Sequence, residues 1–354
     1  MTKRITQMAS VAALSLVATA TSFADVKLND NISLSGYVVG LADSKSIDKT
    51  ENVSGLDIQA TKLATKVNFA PVSGTVSLFA GSDNKVAVLD AYATYDLGGG
   101  TSVTGGKFLS WLGYEAFDPV NMINITYAWS TDALGAFPGI PGYHTGVKVE
   151  YSTDTMGAGL AVVDSNDSNF FTDVKKGDGD LDNGAGLEGY YTYKGKALTV
   201  FLGAAYNSAE TEPGSTYYVS PADTGFKSYS GDIWVQYVVG QLTIAGEYSL
   251  YKAKFDPIPG TPPIQVKDLK TYFAGVWVKY AVSDKFALVG RVSTGKTNLY
   301  GAADKPTYVK YTFSPVLTVT GNLEICGEAS YTTYDKIDPI DSSTYFGVQA
   351  RFKF

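Results

Sequence analysis

The acidic side chains that could act on charged solutes are concentrated in one segment of the chain. Residues 108–147 contain no lysine or arginine, yet they carry Glu115, Asp118 and Asp132, and the single histidine, His144, lies near their end. Carboxylates held where water is scarce focus an electric field and attract cations. We therefore predict that these four side chains form one charged site, which prefers cations modestly and depends mainly on Glu115 and Asp118.

The same side chains do not indicate an enzyme. A histidine-dependent hydrolase would need His144 itself as its base, and no G-x-S-x-G element accompanies that residue. A simpler interpretation is that His144 fixes the return of the segment into the next strand. Cys326 is the single cysteine, which excludes an intramolecular disulfide and a thiolate metal cage. We predict no catalytic activity and no cofactor.

Two further motifs are weak. Residues 290–297 match the phosphate-binding pattern GxxxxGK[ST], but that pattern needs a strand before it and a helix after it, and here it lies inside an alternating strand pattern. We interpret it as a chance match. Residues 178–183 resemble the start of a calcium loop, but the expected glycine at position six and glutamate at position twelve are missing. A polar loop is expected over 166–183, with weak divalent-cation binding as the alternative.

The elements that must position these residues are strands. From Asn31 to the C-terminus apolar and polar residues alternate, which is the period of a strand with one apolar face. Ile233 and Val235 share one face, for example, while Asp232 and Gln236 share the other. The sixteen predicted strands cover 31–42, 58–70, 73–82, 86–97, 101–109, 144–153, 156–165, 184–194, 196–207, 228–240, 241–252, 270–282, 284–296, 306–320, 323–334 and 343–354.

The connections between these strands alternate in length. Every second one is a tight turn rich in Gly, Asn and Asp. The others are mostly long and cover 43–57, 110–143, 166–183, 208–227, 253–269, 297–305 and 335–342, with only 83–85 short. Outer-membrane barrels have short periplasmic turns and long outer loops, whereas a soluble sandwich need not sort its loops in this way. We predict an all-β, transmembrane, antiparallel up-and-down barrel of about sixteen strands.

Both ends of the chain agree with an outer-membrane barrel. Lys3 and Arg4, an apolar run over 11–20 and a small-residue site ending at Ala24 predict a signal peptide over 1–24 and a barrel domain over 25–354. The last strand places apolar side chains on one face up to the final residue, which predicts a signal for the barrel-assembly machinery and contact with membrane lipid. Its aromatic members are Phe346, Phe352 and Phe354. An aromatic girdle is predicted at Tyr95, Tyr151, Tyr193, Tyr206, Tyr248, Tyr280 and Tyr331.

The third connection, 110–143, is the longest and unusually apolar. Such a loop would be a liability in water, so we predict that it folds into the barrel lumen and narrows it. A surface loop packed only on its neighbours is the alternative. By strand parity, the basic side chains of the opposing wall point inward and set up a transverse field against the loop acids. These basic residues are Lys62, Lys66, Lys148, Arg291 and Arg351.

The same region resembles a known family, the OmpL-like β-barrel porins of type 2. The resemblance is carried by 106–115 (GKFLSWLGYE), Asp118-Pro119, Asn124 and 141–147 (PGYHTGV). One departure is Gly142, where the family more often has an aromatic residue. The specific match covers about forty residues, and the strand pattern extends it loosely over the mature chain. The family implies a pore-forming outer-membrane protein and attaches no catalytic residue to the motif.

The expected function is therefore passive diffusion of small hydrophilic solutes or ions across a bacterial outer membrane. A surface or adhesion barrel without a transport role is the alternative. Removing the signal peptide changes the formal charge from −7 to −9, which argues against nucleic acid as a partner. A homotrimer is expected only by analogy with porins of this size.

Overall fold

The computed structural model describes residues 25–50, 52–83, 85–165, 181, 184–211, 224–256, 268–297, 306–337 and 339–354. The predicted signal peptide 1–24 and nearly all of the acidic segment 166–183 lie outside these residues. No helix in the described ranges is long and apolar enough to cross a membrane.

Sixteen long strands occur in the described part of the chain. Each pairs antiparallel with its neighbours in chain order, and the last pairs with the first, so the sheet closes into a barrel. The strands are β1 Ile32–Ile47, β2 Asn52–Phe69, β3 Val72–Gly81, β4 Val86–Gly98, β5 Thr101–Leu109, β6 Tyr143–Ser152, β7 Met156–Val163, β8 Gly184–Lys194, β9 Leu198–Thr211, β10 Thr224–Val239, β11 Leu242–Phe255, β12 Leu269–Ser283, β13 Phe286–Thr297, β14 Thr307–Thr318, β15 Leu323–Asp335 and β16 Ser342–Lys353.

Three smaller features are not part of the sixteen-strand wall. A short strand, Val26–Lys27, pairs with β1. Between β5 and β6 the chain forms a single 3-10 turn, Pro119–Asn121, and a two-residue ladder of Ser130–Thr131 with Gly135–Ala136. The predicted fold class, an antiparallel barrel of about sixteen strands, is confirmed. Residues 290–297, which match the phosphate-binding pattern, lie within β13 and are paired on both sides.

The two faces of the wall differ as the alternating sequence predicts. In β10, Val235 is 37% exposed, whereas its neighbours Trp234 and Gln236 are 3% and 7% exposed. The same alternation runs through β15, where Tyr331 is exposed and Cys326 is buried. The exposed face is a continuous apolar surface of the kind that a bilayer covers.

The connections define two rims. At the short-turn rim the connections are 70–71, 99–100, 153–155, 195–197, 240–241, 284–285 and 319–322. The other connections meet at the opposite end, the long-loop rim. The predicted sorting of loop lengths is confirmed with one exception. The loop predicted over 43–57 is mostly strand, because β1 and β2 continue to Ile47 and from Asn52 through mainly polar residues whose few apolar members do not alternate.

The C-terminal residue completes the closure of the barrel. Gly36 of β1 exchanges two backbone hydrogen bonds with Phe354, of 2.8 and 3.0 Å. The ring of Phe354 lies so close to Gly36 that a Cβ atom there would meet a ring carbon at 2.7 Å. Phe346 and Phe352 are exposed on the outer face of the same strand. The seam therefore joins β16 directly to β1.

The register predicts a difference in reactivity between neighbouring positions of β15. In a Cys326→Ser background, Ile325→Cys is expected to react with lipid-soluble thiol reagents, because residue 325 points outward. Glu324→Cys is expected to react with charged reagents from the barrel interior, since the Glu324 side chain is a quarter exposed there. Mass spectrometry of the labelled protein in vesicles measures both reactions. The reverse pattern would place the register one residue out.

Candidate functional site

The loop segment 110–142, which joins β5 to β6, contacts inward-facing side chains around much of the wall. Many of its apolar side chains are buried against that wall. The buried ones are Leu112, Tyr114, Val120, Met122, Ile123, Ile125, Ala128 and Phe137. Two inward glycines make room for its first residues. A Cβ atom at Gly159 would meet Trp111 at 3.0 Å, and one at Gly203 would meet Leu112 at 3.3 Å.

Carboxylates on four strands accept hydrogen bonds from the backbone of this segment. The bonds run from Trp111 N to Glu188 Oε1 (2.6 Å), Gly113 N to Asp232 Oδ2 (2.9 Å), Tyr114 N to Glu247 Oε1 (2.9 Å) and Ile125 N to Glu328 Oε2 (2.6 Å). An irregular segment cannot pair its own buried N–H groups, so the wall must supply acceptors. Bonds to an ionised acceptor are about twice as strong as neutral ones.

Cationic side chains satisfy backbone carbonyls of the same segment. Arg291 donates to the carbonyl of Thr126 (2.6 Å), Lys310 to that of Tyr127 (3.0 Å), and Arg351 to those of Met122 (2.8 Å) and Asn124 (3.0 Å). These three residues lie on β13, β14 and β16. The wall therefore holds the segment in place through hydrogen bonds to the segment's backbone.

Glu115 occupies a different environment from the one predicted. Its Oε1 lies 2.7 Å from Arg291 Nη1, and neither side chain has any exposed surface. Trp277 Nε1 donates to the same oxygen at 3.2 Å, and the backbone N–H of Ala128 donates to Oε2 at 2.7 Å. The expected transverse field between the basic wall and the loop acids does not hold for Glu115 and Arg291, because they form a buried ion pair that fastens the segment.

Asp118 belongs to a second cluster, which keeps contact with water. Lys62 Nζ lies 3.2 Å from Asp118 Oδ2 and 2.9 Å from Asp90 Oδ2, and the Asp118 side chain is 21% exposed. Tyr37 donates its hydroxyl hydrogen to Asp118 at 2.9 Å. The predicted separation between basic wall and acidic loop is absent here too, since Lys62 touches both carboxylates. Two carboxylates around one ammonium leave this cluster with an excess negative charge.

Lys148 lies on the same side of the barrel, on β6. Its Nζ is 2.9 Å from Glu150 Oε2, and it lies over the rings of Phe108 and Trp111 at 4.9 and 5.1 Å. Trp111 Nε1 donates to Glu150 at 3.0 Å. Such cation–π contacts stabilise an ammonium beside aromatic rings. Lys148 and Glu150 thus balance each other, next to the start of the loop segment.

The remaining predicted residues lie apart from these clusters. Asp132 pairs with Lys45 of β1, on the long-loop side. His144 is buried at the start of β6, edge-on to Phe108 with ring centroids 5.0 Å apart, and its Nδ1 lies 3.9 Å from Glu188. Lys66 is close to the short-turn rim, where it pairs with Asp25 at 3.0 Å, and its side chain is 47% exposed.

The tyrosines of the loop segment act as neutral donors. Burial raises the pKa of both Tyr114 and Tyr127 above the ordinary value for a phenol, and the nearby charge of Glu115 adds to the effect. Both hydroxyl groups therefore stay protonated. Tyr114 donates to Gln236 Oε1 at 3.0 Å, and Tyr127 donates to the carbonyl of Phe117 at 2.8 Å.

Comparison with known families identifies the barrel. The family model described as Putative beta-barrel porin-2, OmpL-like matches residues 26–354, nearly the whole chain. The chain belongs to this porin family. It is an outer-membrane β-barrel of bacteria, as the sequence predicts. No curated protein sequence matches it.

Solved porins share the fold of this porin at low sequence identity. OmpT of Vibrio cholerae, in vitro folded and in trimer form, has a TM-score of 0.63 and 13% identity, covering 92% of this chain and 100% of its own. The anion-selective porin from Comamonas acidovorans has a TM-score of 0.61 and 14% identity, covering 91% and 99%. OmpF of Salmonella typhi in complex with daunomycin has a TM-score of 0.64 and 13% identity, covering 93% and 100%. These likenesses show the fold alone.

An aromatic core lies on the inner face of the porin's wall. Inward rings of β8, β9, β10 and β12 stack side by side and against the loop segment. Ring centroids are 5.9 Å apart for Tyr190–Phe201, 5.3 Å for Phe201–Trp234 and 4.9 Å for Tyr114–Trp277. The partly exposed charges of Lys62, Asp118 and Asp90 lie on the other side, towards β2 and β4.

Several residues that fasten the segment were not expected from the sequence. Strand parity places them inward, but it gives no sign that they touch residues about 75 to 200 positions away in the chain. They are Glu188, Asp232, Glu247, Lys310 and Glu328. A charged residue at an inward strand position is the signal that could have drawn attention to them.

Proposed function

We propose that this porin lets small hydrophilic solutes and ions diffuse passively across the outer membrane. The observation that carries the proposal is a cluster of partly exposed charges, Lys62, Asp90 and Asp118, inside a closed barrel of sixteen strands. Barrels of that size are wide enough for an aqueous channel. A charged cluster that keeps contact with water belongs in such a channel, because buried charge without water is costly.

We propose further that the loop segment 110–142 narrows this channel. Its backbone contacts with β8, β10, β11 and β13 to β16, together with the aromatic core, support a segment that occupies one side of the lumen. The path for solutes then runs between the segment and β2, β4 and β6. Lys62, Asp90, Asp118, Lys148 and Glu150 line that path.

Selectivity in this arrangement comes from Asp118 and Asp90, because Glu115 is neutralised by Arg291. Asp118→Asn is expected to shift the reversal potential in a salt gradient towards anions, changing the permeability ratio by about two- to threefold, since one partly screened charge is removed. Asp83→Asn, an exposed loop carboxylate, is the matched control. An unchanged reversal potential for Asp118→Asn would show that this residue does not line the solute path.

Copies of the porin are proposed to meet through the outer face of β1 to β5. At outward positions of these described strands the aromatic side chains are Phe69 and Tyr95, both near the short-turn rim, whereas exposed tyrosines occur on β8, β10, β11, β12, β14 and β15. Aromatic girdles lie at the level of the lipid headgroups. A wall that lacks a girdle near the long-loop rim therefore suits contact with protein better than contact with lipid. Val76→Trp is expected to dissociate a trimer in detergent, measured by mass, whereas Val276→Trp is not. Equal masses for both variants would contradict this face.

Conductance in planar lipid bilayers tests the central proposal. Purified porin is expected to insert as discrete steps of ohmic current, because a water-filled lumen stays open without a ligand. A surface or adhesion barrel would give membrane insertion without such steps. Liposome swelling with neutral sugars of increasing size then measures the width of the path. Failure of both assays in correctly inserted protein would reject passive diffusion.

A further inference from the structure

Five lysines lie on the outer face of the barrel near the long-loop rim, on four consecutive strands. They are Lys227 on β10, Lys252 and Lys254 on β11, Lys270 on β12 and Lys296 on β13. All five occupy outward positions, because the inward positions beside them are buried. Those inward neighbours are Ser228, Tyr251, Ala253, Leu269 and Gly295. We refer to the five lysines as the lysine belt.

The register of the strands places the members of the lysine belt side by side. Lys227 is the direct cross-strand partner of Lys254, and Lys252 is the direct partner of Lys270. Lys296 lies diagonally from Lys270 across the next pair of strands. Side chains directly opposite on one face have Cβ atoms about 4.5–5.5 Å apart, and like charges in such pairs are destabilising. Two adjoining lysine pairs therefore favour a bound counter-charge.

Neighbouring carboxylates balance the lysine belt only in part. Asp268 pairs with Lys252 at 3.3 Å, and no ion pair joins the other four lysines to a carboxylate within the described residues. Asp256 follows β11, and Glu210 of β9 is paired with Gly225 of β10. Five lysines minus these three carboxylates leave an excess of two positive charges. Other carboxylates of the surrounding strands lie beyond β14 or point into the barrel: Asp335, Asp232 and Glu247.

A row of tyrosines borders the lysine belt on the side of the apolar wall. Tyr229 and Tyr272 each lie two residues from a belt lysine, on the same outward face and further from the rim. Ring centroids are 5.2 Å apart for Tyr206–Tyr229 and 6.2 Å apart for Tyr248–Tyr272. Outward tyrosines mark the level of the lipid headgroups, and clustered lysines at that level attract anionic headgroups. The belt therefore lies beside the headgroups of the leaflet at the long-loop rim.

An apolar groove lies on the same outer face, closer to the middle of the wall. Its volume is about 540 Å³, and its lining includes Val276, Val278, Gly290, Val292, Tyr311 and Phe313. Gly290 opens the groove, since a Cβ atom there would meet nothing within 4 Å. Val292 lies four residues from Lys296 along β13, which is about 13 Å. An acyl chain whose headgroup lies at the lysine belt can therefore reach the groove.

We propose that the lysine belt and the apolar groove together bind an anionic lipid that carries phosphate groups and several acyl chains. The ammonium groups of the belt donate to phosphate oxygens, and the groove holds one of the chains. The excess of two positive charges favours a lipid with two phosphates over a lipid with one. The position of the belt favours a lipid over a soluble anion, because the belt continues into the apolar wall. The site is outside the lumen, so it does not depend on the proposed function.

Native mass spectrometry of the full-length porin in detergent tests the site in the wild-type protein. The probes are lipid A with two phosphates, the same lipid with one phosphate, and phosphatidylcholine, which has no net charge. The form with two phosphates is expected to bind about tenfold more tightly than the form with one, and phosphatidylcholine more weakly still. Equal binding of all three lipids would overturn the proposal. Competition by inorganic phosphate or by an acidic polysaccharide at similar concentration would assign the belt to a soluble anion and overturn the lipid site.

Matched variants test the lysine belt itself. Lys254→Gln combined with Lys270→Gln removes one lysine from each opposed pair, and it is expected to weaken binding of the lipid with two phosphates about tenfold. Lys196→Gln combined with Lys285→Gln removes two exposed lysines at the short-turn rim and is expected to leave binding unchanged. Equal binding by both double variants would overturn the belt as the headgroup site. Heat-dependent mobility in detergent gels shows that each variant is folded.

The groove is tested separately by Gly290→Leu, which fills it and leaves every lysine in place. Binding of the same lipid is expected to weaken about tenfold, as for the loss of about two buried CH₂ groups. The open space around Gly290 lets the barrel accept the larger side chain. Unchanged lipid binding by Gly290→Leu would overturn the groove as the site of an acyl chain.

Discussion

Arg291→Met is expected to release the loop segment 110–142 from the wall. The substitution leaves Glu115 buried without its ion-pair partner and removes the donor to the carbonyl of Thr126. Breaking a buried pair from one side costs about 3–5 kcal/mol. The released segment should widen the lumen, so single-channel conductance should rise and fluctuate, and the segment should become sensitive to protease.

A second substitution separates loss of the charge pair from general damage. Arg291→Met combined with Glu115→Gln removes the uncompensated carboxylate, so it should restore part of the stability and of the steady current. Lys285→Gln is the control for removal of a basic residue. Heat-dependent mobility in detergent gels should stay unchanged in all three variants, because the sixteen-strand wall is intact. Wild-type conductance and protease resistance in Arg291→Met would show that other contacts hold the segment.

Deleting Phe354 is expected to reduce the amount of folded porin in the outer membrane severely. The deletion removes two backbone hydrogen bonds to Gly36 and the ring that covers this glycine, and so weakens the seam between β1 and β16. Phe354→Arg should act in the same way, because a basic side chain on the lipid-facing side costs about 2–4 kcal/mol at the midplane and less near the rim. Outer-membrane yield after fractionation measures the effect.

Two variants show whether the effect belongs to the closing strand. Phe354→Leu keeps an apolar side chain and should retain most of the yield. Tyr237→Ala removes another exposed aromatic near the same rim, outside the seam, and should assemble normally. Normal yield after deletion of Phe354 would count against its proposed role in assembly.

The strands could be predicted from sequence because each carries its own signal. Val235 and Gln236 reveal opposite faces through their chemistry alone, and this local alternation suffices for sixteen strands and a closed barrel. The signal fails where both faces are mostly polar and the few apolar residues do not alternate, which is why the part of the β1–β2 hairpin near the long-loop rim was expected to be a loop. There the pairing depends on hydrogen bonds between strands, which polar side chains do not reveal.

The contacts within the candidate site were harder to predict from the sequence than the strands. Glu115 and Arg291 were both recognised as interior charges, but their direct contact links residues 176 positions apart. The period of the sequence pattern shows which face of a strand a side chain occupies. It does not show the distance from that side chain to the loop segment or to other strands. Glu115 and Arg291 were therefore expected on opposite sides of the pore, whereas they form a direct ion pair. The inward position of Glu328 can be read from the strand pattern, but its hydrogen bonds to backbone N–H groups of the loop segment cannot.

The way the wall holds the loop segment has a consequence for engineering. The hydrogen bonds of Glu188, Asp232 and Arg351 are made to backbone N–H and carbonyl groups of the segment. Every amino acid provides these groups in the same form, except that proline lacks the N–H. The side chains of the segment that face the solute path can therefore be exchanged while its course along the barrel is kept. Such a scaffold suits libraries in which only the solute-facing positions vary, so that new pore chemistries can be selected without redesign of the anchor.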